Sequence, residues 1–363
     1  MRAGEERAVS SSGDEDGTVV VVGAGIAGVA CARALLRQGL RVELRERARH
    51  AGGRMASPVI DGRVTDTGAS YFTVTDLAAP GDGGSATGGS GPADGSGPGG
   101  GFRAVVDDWV ERGVARTWTD RFPVLAAGGL GEPKAGPVRY AAPGGLRALV
   151  TDLLDTAAHE AGDRLVVRFD DEVHAVAPGP TVDAAPAAAV VLAMPDPQAL
   201  RLLDPALKAE RVVLASREWE PVLALVAGWD ARRWPELDGA FVADDPVLGW
   251  LADDGRRRGD AAPVLVAHST PPFAARHLDD PAAAAPAMVA AVARLLGTGE
   301  PRVAQVRRWT HARPSAVRET DFHLGAARVG LAGDGWGSAK VQTAFTSGDA
   351  LGRALAEELG PSG

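Results

Sequence analysis

The chain has 363 residues, a formal net charge of −9 and a single cysteine, Cys31. No basic stripe interleaved with aromatics is present, which argues against nucleic acid as a partner, and one cysteine excludes an intrachain disulfide framework or an all-cysteine metal site. No apolar run reaches the roughly 20 residues that cross a bilayer and no signal-peptide core is seen, so a cytoplasmic protein with no metal and no membrane partner is expected.

In chain order, residues 1–17 read as a disordered lead-in. Thr18 to Val22 is an unbroken β-branched run, the pattern of a strand buried on both faces. A glycine turn, a helix over Ile26 to Gln38 and a strand over Arg41 to Arg45 complete a βαβ unit. Cys31 falls on the helix face toward the sheet and is expected to be a buried, inert thiol. Leu77 to Gly101 is dense in Gly, Ser, Pro and Asp, with too little apolar surface to order itself, and reads as a flexible surface insertion. A helix is expected over Leu146 to Ala161, strands within Leu165 to Val176, and a buried strand over Ala187 to Met194. Glu210 to Trp229 and Ala261 to Ser269 read as strands of a second region, followed by a helix over Pro286 to Leu296. Arg328 to Ala332 is a short buried strand and Gln342 to Leu359 a last helix. There is no internal repeat.

Three motifs carry chemistry. Gly23-Ala24-Gly25-Ile26-Ala27-Gly28 directly follows the first strand. Gly23 suits the tight turn, Gly25 lets backbone approach a pyrophosphate, and Gly28 lets helix pack on strand. The helix N-terminus offers unpaired N–H groups and partial positive charge to the diphosphate. Glu46, at the end of the second strand, can accept from ribose hydroxyls and disfavours a 2′-phosphate. A lone GxGxxG is weak, but here strand, helix, second strand and acid are all in place. Next come Gly52-Gly53-Arg54-Met55 and Asp66-Thr67-Gly68-Ala69-Ser70-Tyr71-Phe72, where a simple dehydrogenase would continue with another helix and strand. Alone, the GGR match is a loop with a solvated arginine; after this βαβ unit it suits a phosphate-facing role and FAD. Last is Gly333-Asp334-Gly335-Trp336, with Val341 to Gly348 opening the last helix. Asp334 can bond a ribityl hydroxyl, and the helix can aim its positive end at the flavin pyrimidine edge; the alternative is an ordinary Asp-Gly turn.

With these elements at both ends, the expected fold is α/β. A discontinuous Rossmann-type, glutathione-reductase-like FAD-binding domain (18–76, 138–200 and 325–363) carries an inserted mixed α+β substrate domain (102–137 and 201–324).

Together these residues resemble the FAD-dependent amine-oxidase superfamily and, within it, the renalase-like proteins. The resemblance runs from about Thr18 to Leu359, apart from the insertion. It is carried by GASYFT (Gly68 to Thr73), YAAPGGLRAL (Tyr140 to Leu149), AMPDPQALRLL (Ala193 to Leu203), LVAHSTPPF (Leu265 to Phe273), RWTHARP (Arg308 to Pro314) and GLAGDGW (Gly330 to Trp336). It implies non-covalent FAD held by Gly23, Gly25, Ile26, Ala27, Gly28, Glu46, Arg47, Gly53, Arg54, Met55, Gly68 and Ala69. At the adenine end it implies Val173, and at the flavin end Gly333, Asp334, Val341, Gln342, Thr343 and Ala344. It also implies hydride transfer to flavin N5 from a small donor, with dioxygen returned as hydrogen peroxide; for renalases the donors are dihydronicotinamide isomers of NAD(P)H reduced at the wrong ring carbon. Losing hydride restores ring aromaticity, so such a site mainly positions the donor. Tyr71, Trp309 and Trp336 are the candidate aromatic walls, with His268 and His311 as polar edges. Each has a structural alternative, since Trp and Tyr are more often core and a lone His is more often a satisfied structural residue.

Three departures from the family pattern stand out. The adenine-side hairpin is trimmed to a strand at Glu172–Val176 followed by PGPTVDAAPAAA, and the Leu77–Gly101 insertion opens the substrate region. No cysteine near the C-terminus could bear a covalent flavin, and Lys134, Lys208 and Lys340 offer no clear water-activating lysine. Two alternatives remain: a flavin amine oxidase or desaturase-like enzyme, and a non-catalytic FAD-binding protein. No sequence feature indicates an oligomeric state.

Overall fold

A computed structural model of the chain describes residues 17–75 and 100–360. The expected lead-in and insertion therefore lie almost wholly outside the described residues. The exceptions are Gly17 and the pair Gly100 and Gly101, which open a helix, Gly100–Glu111, rather than closing a loop.

The strand Thr18–Val22 (β1) and helix Ile26–Arg37 (α1) lead to the strand Arg41–Glu46 (β2), as the sequence predicts. They sit in a six-stranded sheet. From one edge its order is Leu165–Phe169, β2, β1, Ala189–Leu192, Val329–Leu331 and His323–Leu324. The first five strands are parallel and the last is antiparallel. Alternation in β1 divides the core in two. Val19 and Val21 pack with α1, Leu146–Ala161 and the last helix, while Val20 and Val22 pack with Val176, Leu203 and Trp336 on the other face.

A seven-stranded sheet forms the second region, ordered Val303–Pro314, Trp219–Gly228, Val264–Ser269, Leu248–Asp253, Gly239–Val242, Val124–Ala126 and Gly129–Leu130. The helix Ala285–Leu296 lays Met288, Val292 and Leu296 into its core. A three-stranded sheet bridges the two regions: Lys134–Ala141 pairs with Phe72–Thr73 on one side and Arg116–Phe122 on the other. The boundary expected between 137 and 138 thus falls inside a strand.

Two expectations about elements are corrected. Glu210 to Trp229 is not one strand, because Lys208–Leu214 is a helix and the strand begins at Trp219. The valine pair misleads there: Val212 is 71% exposed, while Leu214 and Glu210 are buried. Glu172–Val176 is not a strand before Val176. The N–H groups of His174 and Ala175 donate to the Asp183 carboxylate at 2.8 and 3.0 Å, which takes the place of a neighbouring strand. The hairpin itself is short, with strands of two residues at Val176–Ala177, Thr181–Val182 and Ala185–Pro186. Among the described residues no helix is long and apolar enough to cross a membrane.

Candidate functional site

The site starts at the turn between β1 and α1. Gly23 has φ +105°, and a Cβ on Gly28 would stand 1.9 Å from the Gly23 carbonyl oxygen, so only glycine lets α1 pack this closely. Gly25 differs, since its φ of −76° suits any residue and the nearest atom to a Cβ there is the Gly53 Cα at 4.0 Å. Bare backbone of two glycine turns is brought side by side, and the Gly52 N–H donates to the Ala24 carbonyl at 2.9 Å. The N-terminus of α1 has no side-chain cap and no acid in its first turn, leaving its own first N–H groups without a side-chain partner. Ile26 and Ala27 are themselves buried, so only their backbone faces the turn. Glu46 accepts from the Ala24 N–H at 2.8 Å and the Ala48 N–H at 2.9 Å, which ties the carboxylate to the turn; Arg47 beside it is exposed.

Arg54 reaches across the molecule. Its guanidinium forks onto Asp334, Nη1 donating to Oδ2 at 2.7 Å and Nη2 to Oδ1 at 2.6 Å, and Nη1 also donates to the Ala312 carbonyl at 3.1 Å. The phosphate-facing role expected for Arg54 is therefore not how its side chain is engaged here: it is committed to the residue expected to bind the sugar-alcohol chain. Met55 is buried behind it. The backbone of Gly68 presses on the Arg54 carbonyl, with 2.0 Å left for a Cβ, and the Ala69 N–H donates to that carbonyl at 2.9 Å.

Two donors from the second sheet, and one from the short helix Asp254–Arg258 that follows its strand Leu248–Asp253, hold the same segment. Trp309 Nε1 and His268 Nε2 both lie on the Thr67 carbonyl, at 2.8 and 3.2 Å, and the fully buried Arg257 donates to the Ser70 carbonyl at 3.0 Å. Burial, and then Arg257, push His268 down to about 4, so its ring is neutral near pH 7; a carbonyl only accepts, which puts the proton on Nε2. His311, half-buried two residues past Trp309, is also pushed down, first by burial and then by Arg201, Arg54 and Arg47.

At the far end of the chain, the Gly333 N–H donates to Ser347 Oγ at 3.0 Å and leads through Asp334–Trp336 into the last helix, Val341–Leu359. This helix too begins without a side-chain cap or an acid in its first turn. The Gln342 side chain is taken up by Thr75, accepting from that N–H at 2.9 Å and donating to that carbonyl at 2.7 Å, so what it offers at the helix start is its backbone. Val341 and Ala344 are buried in the core, leaving backbone and the partly exposed Thr343 at the helix start. Val173 is likewise core.

The expected aromatic walls separate. Trp309 stands against Gly68 at the turn. Tyr71 lies in a different nest, with Trp118, Phe122 and Trp250. Trp336 is 5% exposed, belongs to the core under the first sheet and carries the Arg318 guanidinium 4.5 Å over its ring, apart from both Trp309 and Tyr71. Lys340 is exposed and Cys31 fully buried, its thiol pushed far up by burial and then Asp349. Sequence reading missed Arg217, paired with Asp196 at 2.8 Å and so close to Gly335 that a Cβ would meet its Nη2 at 2.1 Å. It also missed Trp219, whose ring lies under both Arg54 and Arg217 at 5.1 and 5.4 Å. No local motif marks either residue.

Residues 21–79 match the family model of the NAD(P)-binding Rossmann-like domain. A hydroxyneurosporene desaturase of Rubrivivax gelatinosus is 46% identical over 56 residues, 15% of this chain and 11% of that protein's length. Over nearly the whole chain the similarity is one of fold. Cyclohexylamine oxidase from Brevibacterium oxydans IH-35A superposes with a TM-score of 0.66 at 14% identity, covering 95% of this chain and 99% of that one. Putrescine oxidase bound to putrescine gives 0.61 at 14% identity, covering 95% and 98%. An oxidoreductase from Methanosarcina mazei gives 0.64 at 13% identity, covering 94% and 100%. The architecture is the mixed α/β fold of FAD-dependent oxidoreductases, with a Rossmann-like dinucleotide-binding domain.

Proposed function

We propose that this chain holds FAD non-covalently and works as a two-electron oxidoreductase on a small molecule. The observation that carries this reading is the pairing of two uncapped helix starts with bare glycine backbone between them: α1 over Gly25 and Gly53, and the last helix beyond Asp334. A diphosphate fits the first start, whose helix N–H groups have no side-chain cap and no acid in the first turn, the Glu46 carboxylate taking the Ala24 N–H just before it. Glu46, already oriented by two backbone donors, accepts from a ribose hydroxyl with its remaining lone pairs. Asp334 and Arg54 fix each other beside the ribityl chain, and the last helix directs positive potential at the ring edge where charge gathers. In this reading residues 18–76, 138–200 and 325–363 carry the cofactor and the second sheet carries the substrate side.

FAD, when bound, would supply a two-electron acceptor for the donor's hydride, with dioxygen plus two electrons and two protons giving hydrogen peroxide on reoxidation. The chain's own residues exclude water and orient the donor. Trp309, fixed by its bond to Thr67, gives a flat wall, and His268, held neutral, gives a polar edge without adding charge. No strong base is placed among them, which suits a renalase-like donor such as a dihydronicotinamide isomer, because aromatisation drives the loss of hydride. The second reading, an amine oxidase or desaturase, draws on the desaturase match and the amine-oxidase fold neighbours.

The test is spectroscopic. Purified protein is expected to be yellow, to release its flavin into the supernatant on acid precipitation, and to bleach without oxygen when a dihydronicotinamide isomer is added. Bleaching by amines alone would move the assignment to the second reading. Intact protein that takes up no flavin would end both.

A further inference from the structure

One cluster beside the site lacks the partner its chemistry demands. Arg139 lies in the middle strand of the bridging sheet, 7% exposed, with its guanidinium 3.9 Å over the Phe122 ring and 5.7 Å over that of Tyr71. Its one hydrogen bond runs from Nη1 to the Pro137 carbonyl at 3.2 Å, its Nε is buried with no acceptor, and no carboxylate among the described residues pairs with it. Trp118 shares the same ring neighbours, 6.1 Å from Tyr71 and 5.3 Å from Phe122, and its Nε1 is also buried without an acceptor. The other arginines with buried side chains are paired with carboxylates: Arg257 and Arg258 with Asp254, and Arg217 with Asp196 at 2.8 Å. Contact with ring faces offsets only part of the hydration that a buried cation gives up, and buried donors are normally matched.

The packed ring cluster also reaches the surface. Phe241, 47% exposed, packs on Phe122 at 5.9 Å and Trp250 at 5.0 Å, so the ring cluster runs from solvent inward to Arg139. At its inner end it joins the site, since Trp250 Nε1 donates to Ser70 Oγ at 3.2 Å and Tyr71 stands three residues past Gly68.

We propose that Arg139 and Trp118 Nε1 bind the carboxylate of a planar substrate whose body lies among Tyr71, Phe122 and Trp250. An aromatic nest with no cation in it would attract an ammonium group. Here the protein's own guanidinium fills that position, so an amine arriving as a cation meets like charge. The substrate class is thus an aromatic or conjugated carboxylate, neither a polyamine nor the neutral carboxamide of a dihydronicotinamide, so on this point the inference departs from the renalase-like donor and keeps only the flavin. The inference rests on the flavin reading only for what the far end of the substrate faces.

The experiment titrates the purified protein with benzoate, benzamide and benzylammonium, three probes of one shape and different charge, and reads tryptophan fluorescence, which needs no flavin. Benzoate is expected to bind about 10-fold or more tightly than benzamide, and benzylammonium no better than benzamide. Arg139→Gln should erase the preference and Arg139→Lys retain part of it. Trp118→Phe, which keeps the ring and removes one donor, should weaken benzoate several-fold with little effect on benzamide. Equal binding of benzoate and benzamide to the unaltered protein overturns the proposal, as does a preference that survives Arg139→Gln. Should Arg139→Gln fail to fold, the unaltered protein and Trp118→Phe decide alone. Colourless protein that still prefers benzoate would sink the flavin reading and leave the carboxylate site standing.

Discussion

Arg54 and Asp334 stand 280 residues apart in the chain and meet in a two-pronged pair, each prong under 3 Å. The pair joins the second glycine turn to the last strand–helix junction, adding a charged contact to the sheet and the packing of α1 on the last helix that already bring the two ends of the chain together. Asp334→Ala leaves a partly buried guanidinium with only the Ala312 carbonyl. Because both groups keep some exposure, the expected cost is about 2 kcal/mol, below that of breaking a fully buried pair. A urea midpoint measured with and without added FAD checks it, and an unchanged midpoint would deny the contact a structural role.

The glycines of the first turn should separate folding from binding. Gly28→Ala drives a Cβ into the Gly23 carbonyl, so little folded protein is expected. Gly25→Val has room in the protein and a permissive φ, so it should fold with a normal far-UV spectrum yet retain little flavin. Gly25→Val protein as yellow as the parent would remove the diphosphate from this turn.

His268 should make stability depend on pH. Its pKa is about 6.5 when unfolded and about 4 in the fold, lowered first by burial and then by Arg257. The unfolded chain therefore takes up the proton first. The contribution of neutral His268 is whole above about pH 6.5 and is lost as pH falls toward 4, by up to about 3 kcal/mol. His268→Gln can still donate to Thr67 but cannot titrate, so the slope of stability between pH 6.5 and 4 should flatten. Parallel slopes in the two proteins would contradict this.

Cys31 is expected to be silent. Fully buried, and with its thiol pushed far upward by burial and then Asp349, it should not react with a thiol reagent in the native protein and should titrate fully in denaturant. Prompt native labelling would mean that α1 and the last helix part readily. They are closely packed, since a Cβ on Gly352 would lie 2.6 Å from the Cys31 carbonyl oxygen.

Trp309→Phe removes the donor to Thr67 but keeps a ring against Gly68. A loss of about 1 kcal/mol in stability is expected. If Trp309 walls the donor site, anaerobic flavin reduction should slow by more than that loss implies. An unchanged reduction rate would confine Trp309 to a structural part.

The sequence by itself determined β1, α1 and β2, the helix at Leu146–Ala161 and the last helix. Their signals are local: unbroken β-branched runs, 3.6-residue periodicity and glycines at fixed offsets act on residues a few positions apart. The valines at 212 and 213 show where such signals fail, because surrounding helix formers and packing made that stretch a helix. Only the tertiary structure decided which residues share a site. It set Arg54 on Asp334 and took Gln342 for Thr75. It sent Trp336 to the core and left Arg139 among rings with no carboxylate. Those outcomes depend on which distant side chains arrive at the same few cubic ångströms, and long-range packing, charge and desolvation leave no periodic trace along the chain.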